Sequence, residues 1–89
     1  MRVFEHYVEP ITRDTMAAAF KAPFALHGIS GAPAIVIMNE CSAVELLKLD
    51  RGWDGVTIPQ RFEFFGTVGV TVPNDKMPDG VFLFVMDVR

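Results

Sequence analysis

Val81, Phe82, Leu83, Phe84, Val85 and Met86 form the longest uninterrupted apolar run of the chain, bounded upstream by the turn residues Pro78, Asp79 and Gly80. The run is far too short to cross a bilayer as a helix, which takes about 20 residues. As a strand it places Val81, Leu83 and Val85 on one face and Phe82, Phe84 and Met86 on the other. Both faces are therefore apolar, and both need cover.

The rest of the chain has little with which to provide it. Its 89 residues leave room for one core, so residues 1–89 are read as a single domain. A chain of this size buries only roughly 60–65% of its unfolded surface, and small domains usually compensate with disulfides, metals or a partner. Cys41 is the only cysteine, so no internal disulfide forms and a secreted disulfide scaffold is excluded. A reducing, cytoplasmic setting is expected, and no signal-like or membrane-spanning segment is visible. Apolar residues make up 51% of the chain and mean hydropathy is +0.31, which argues against disorder. The formal charge of −3, with no cluster of Lys or Arg, offers nothing to displace counterions from a phosphate backbone, so nucleic acid is disfavoured as a partner.

The pattern along the chain predicts a small α+β domain, with one mixed or antiparallel sheet of four to five strands and two short helices. Val3 to Val8 reads as a first strand near an edge, stopped by Pro10. Thr12 caps a helix stapled by Ile11 and Met16 and ended after about ten residues by Pro23. Ala34 to Met38 reads as a central strand buried on both faces. Ser42 and Glu45 form a capping box, with Cys41 and Leu46 as its staple, for a second helix closed by Gly52. Phe62 to Phe65 and Val68 to Val72 read as strand, bent or broken near Gly66 and Gly69. The last run, Val81 to Val88, is expected beside Val68 to Val72 as an antiparallel neighbour.

No residue set specifies a catalytic or metal site, and no cofactor is implied. Cys41 near a helix N-terminus would have its thiolate favoured by the dipole. Glu40 beside it opposes that, and the glycines of a nucleophile elbow are missing. A thiol enzyme with His6 or His27 as base stays an alternative that lacks an orienting third group. Glu5, His6 and Glu9 do not place three ligands on one face, and neither glycine cluster fits a phosphate-binding fingerprint. Trp53, flanked by Arg51 and Asp54 in a loop, is either folded over the core or an interface anchor. With Phe82 and Phe84 of the doubly apolar last strand, these residues are the interface candidates. Two short helices in one layer cannot cover both faces of a sheet, so a protein partner or a homo-oligomer is expected.

From Pro33 to Met86 the order of features resembles the C-terminal part of phage major capsid proteins of the HK97 type. Those proteins carry a strand ending in Met-Asn, a helix, a Phe-Gly-x-Val stretch, and a Met-Pro-x-Gly turn before an apolar strand. The corresponding residues here are Ile35, Val36, Ile37, Met38 and Asn39, then Leu46 and Leu47, then Phe65, Gly66 and Val68, then Met77, Pro78, Asp79 and Gly80. There is no long spine helix, no extended arm and too little chain for a whole shell subunit. The resemblance thus implies a shortened capsid-like domain, such as a phage or prophage accessory protein that meets virion components or interferes with a host process. A small phage-encoded inhibitor that binds a host defence protein or sequesters a small-molecule signal is the alternative within the same class.

Overall fold

The computed structural model describes residues 2–28, 33–52 and 58–86. Its elements in chain order are β1 (Arg2–Tyr7), α1 (Arg13–His27), β2 (Ile35–Asn39), α2 (Glu40–Arg51), β3 (Arg61–Phe64), β4 (Thr67–Val72) and β5 (Val81–Met86). The strands form one five-stranded mixed sheet in the order β1-β5-β2-β4-β3, so the expected α+β class holds. β2 lies in the middle. It pairs parallel with β4 and antiparallel with β5, while β1 and β3 close the two edges antiparallel to β5 and β4.

Thr12 caps α1 as its sequence suggests. Its hydroxyl accepts from the Thr15 amide at 3.1 Å, and the Thr15 hydroxyl accepts from the Thr12 amide at 2.8 Å, so two orphan amides are satisfied reciprocally. Met16 is fully buried and Ile11 packs against the same core, which completes the staple. The helix then runs through Pro23 to His27 instead of stopping before the proline. The ring deprives the Ala19 carbonyl of its helical donor. It is also buried, so its apolar surface offsets part of that cost.

α2 begins earlier than its sequence suggests. The cap is Asn39, the last residue of β2, whose side chain accepts from the Ser42 amide at 2.8 Å. Strand passes into helix with no loop, which puts Ser42 one turn inside the helix and Cys41 on its exposed side rather than in a staple. Gly52 ends α2 in the left-handed region (φ 62°), as expected.

β3 and β4 are joined by Phe65 and Gly66, both at positive φ (47° and 79°), with Phe64 opposite Thr67. The expected bend at Gly66 is therefore a complete reversal of type I′ form. Gly69 stays within β4. A Cβ there would lie 3.0 Å from both the Phe62 and the Phe64 ring, so the glycine is the close approach that lets two aromatics cross the strand.

β5 does not pair with β4. Both edges of β4 are already taken by β2 and β3, and the connection 73–80 carries the chain across to the other side of β2. Among the described residues no helix is long and apolar enough to cross a membrane.

Candidate functional site

Strand alternation and the pairing register sort the sheet into two unlike faces. Phe62, Phe64, Val36, Met38, Phe82, Phe84 and Met86 all point to one side, where they join Met16 and Ala19 of α1 and Ala43, Leu46 and Leu47 of α2 in a single core cluster. Phe20 of α1 sits edge-on to Phe84 and Phe64 at centroid distances of 5.3 and 6.0 Å. Both helices thus cover this side, and the cluster takes no residue from the opposite one.

Among the described residues no helix packs on the opposite side. Val3, Val85, Ile35, Val68 and Glu63 fall in one row across the sheet, and Glu5, Leu83, Ile37, Val70 and Arg61 in the next. All six central positions of these rows, Val85, Ile35, Val68, Leu83, Ile37 and Val70, are aliphatic. Sheets with one solvated face ordinarily carry polar residues there. Val85 is buried (9% exposed), Ile35, Ile37, Val68, Val70 and Leu83 are half-buried, and Val3 and Tyr7 near the β1 edge are 58% and 66% exposed. Among the described residues of these rows, charge is confined to the margins, with Glu5 on β1 and Arg61 and Glu63 on β3. None of these three forms an ion pair among the described residues.

This arrangement corrects two sequence expectations. β2 is central but buried on one face only. Phe82 and Phe84, taken as interface candidates, are fully buried (0% exposed) under the helices, because their parity puts them on the core side of β5. The strand does present an apolar surface outward, but through Val81, Leu83 and Val85. That parity becomes readable only when the helices are known to lie on a single side.

The remaining expected site residues are dispersed. Arg51 ends α2, exposed, with its guanidinium donating to the Asp50 carboxylate at 3.1 Å and to the Glu63 carbonyl. Trp53 and Asp54 lie outside the described residues. Cys41 is exposed and its amide donates to the Asn74 side chain at 3.0 Å. His6 lies on the helix side of β1 with its ring 5.2 Å from Phe84, and the side chain of His27 lies outside the described residues. Among the described residues no group of His, Cys, Asp or Glu is arranged to hold a metal.

A polar network that the sequence did not reveal fixes the 73–80 connection. The fully buried Asn39 amide donates to the Met77 carbonyl at 3.0 Å and to the Asp79 carboxylate at 2.6 Å, and Ser42 Oγ accepts from the Gly80 amide at 2.9 Å. Beside it a cavity of about 320 Å³ is lined by Tyr7 to Ile11 with Glu45, Asp79 and Gly80. The Tyr7 phenol is raised above its ordinary value, chiefly because it donates to the Glu9 carboxylate, with desolvation and the nearby negative charge adding. The network places the start of β5; the open face lies on the far side of the sheet from the core it serves.

No family model matches the chain, and no curated protein or solved structure is similar enough to it to match.

Proposed function

We propose that the chain is a non-enzymatic binding or assembly module whose working surface is the open face of the sheet. The observation that carries this reading is that the core cluster draws on one sheet face only, while the six central positions of two rows on the other are all aliphatic. The six central positions cover roughly 14 Å by 14 Å, or ~200 Å², from the strand spacing and rise, and Val3, Val72, Val81 and Tyr7 extend the apolar surface to roughly 300 Å². The largest apolar patch on a monomer is ordinarily about this size and often serves contacts with other molecules. The sheet edges point the same way. β3 is a four-residue edge bearing Arg61 and Glu63, and β1 bears Arg2, Glu5 and His6, which is how edges are blunted against strand addition. The face, not the edge, is the adhesive part.

The resemblance of residues 33–86 to capsid proteins supports assembly as the setting, in a phage or prophage accessory protein that meets virion components or a host protein. The test is to compare the native mass of the wild-type chain with that of Ile37→Lys, each alone and in the lysate of its host. Wild type is expected to enter a larger species, and the variant to leave it while keeping its circular dichroism and the melting temperature that wild type has at low concentration. Identical behaviour of the two proteins would remove this reading.

A further inference from the structure

We propose that the occupant of the open face is a second copy of this chain, packed about a two-fold axis that runs along β2 between the two sheets. This rests on the reading of that face as the working surface, and it follows from the order of the strands. With β2 third of five, rotation about an axis along it lays β5 of one copy over β4 of the other and β1 over β3. Ile35 and Ile37 then stand over their own counterparts. Leu83 meets Val70 and Val85 meets Val68, because each pair shares a row of the register.

The charged margins fit this operator in one of the two rows. Glu5 and Arg61 occupy opposite ends of one row, so the rotation brings each against the other in the second copy, twice per dimer. An axis running across the strands through that row would set Glu5 against Glu5 and Arg61 against Arg61. An axis across the strands between the two rows would also match the six central positions and pair Arg61 with Glu63, but it would leave Val81 and Val72 without apolar partners. The axis along β2 keeps Val81 over Val72 as well as matching the six central positions, and it sets two Glu5–Arg61 pairs at the rim with Val3 over Glu63 beside them. The strands of the two sheets then run nearly aligned, the common geometry of packed sheets about 10 Å apart.

Two whole sheet faces, charged margins included, bury ~800–1,000 Å² in total, below the ~1,200 Å² of stable specific interfaces, so a weak dimer with a dissociation constant on the order of 100 micromolar is expected. Sedimentation equilibrium over a wide concentration range tests the proposal, using wild type, Ile37→Lys, Glu5→Arg, Arg61→Glu and the double swap. Wild type should show a monomer–dimer equilibrium, and Ile37→Lys should weaken it at least ~100-fold, since a desolvated Lys would face its own copy on the axis. Each single swap should weaken dimerisation about three- to tenfold at low salt, and the double swap should restore it. Val70→Lys serves if Ile37→Lys does not fold.

A wild-type chain that stays monomeric at millimolar concentration overturns the dimer, yet leaves the face open to another protein. A dimer indifferent to Ile37→Lys overturns both the dimer geometry and the reading of the face. A dimer sensitive to Ile37→Lys that the double swap does not restore overturns the axis along β2 and keeps the face.

Discussion

Asn39 does more for this fold than any other polar side chain described. It caps α2 through its oxygen and holds the 73–80 connection through its nitrogen, at 0% exposure. Replacing it by Ala removes a cap and strands buried donors and acceptors, so Asn39→Ala is expected to cost about 2–4 kcal/mol. A denaturant midpoint that falls with an unchanged slope is the measurement. Gly80 and Gly52 give a second, comparative prediction. Both have positive φ, 80° and 62°, but a Cβ at Gly80 would meet the Val8 carbonyl at 2.9 Å whereas one at Gly52 would meet nothing within 4 Å. Gly52→Ala should cost only the left-handed penalty of about 1 kcal/mol, and Gly80→Ala clearly more, because the clash is with backbone that cannot swing aside. Thermal melts of the two variants in parallel would decide it. The glycine could be suspected from its place in a Pro-Asp-Gly turn. The role of Asn39 could not be, since its partners Met77 and Asp79 lie 38 and 40 residues further along the chain.

At the level of elements, legibility followed the range of the interactions that fix each boundary. The start of α1 was readable because Thr12, Thr15, Ile11 and Met16 are sequence neighbours that satisfy one another. Thr12→Ala should therefore lower stability by about 1 kcal/mol while Thr12→Ser stays within a few tenths, as measured by denaturant titration. The end of α1 was not readable. Pro23 is a local stop signal, but burial of its ring overrides it, and burial is a tertiary fact. The start of α2 fell in the same class: two cap patterns overlap, Asn39 to Ser42 and Ser42 to Glu45, and the one that won also holds a distant loop. Strand partners were the least legible. The apolar runs that became β4 and β5 look like hairpin neighbours, yet β4 had already been enclosed by β2 and by its own hairpin with β3. The β3–β4 hairpin itself was half visible, as a break at Gly66 whose sharpness depends on Phe65 taking φ 47°.

For the molecule as a whole, the informative quantity is the mismatch between apolar strand surface and helical cover. The sequence showed that mismatch in Val81 to Met86, which has no polar face, and it led to the wrong half of the strand because the parity of Phe82 and Phe84 depends on which side α1 and α2 pack. The excess surface remains on the other side, across Ile35, Ile37, Val68, Val70 and Leu83. A face of this kind makes stability depend on chain concentration if copies associate through it, because only the native state has the face to offer. Raising the concentration about a hundredfold across the dissociation constant should add of order 1 kcal/mol per chain by mass action. In a domain of this size that raises Tm by about 4–8 °C. Ile37→Lys should melt at one temperature throughout the same series, and near the wild-type value at low concentration, since outward-facing strand substitutions cost little in a monomer. Sodium chloride should depress the wild-type shift only modestly by screening the Glu5 and Arg61 margins, whereas sulfate should enlarge it by strengthening apolar burial. A wild-type Tm that is flat with concentration in both salts would mean that the aliphatic rows are not covered by a second copy, and that their occupant has a different sequence.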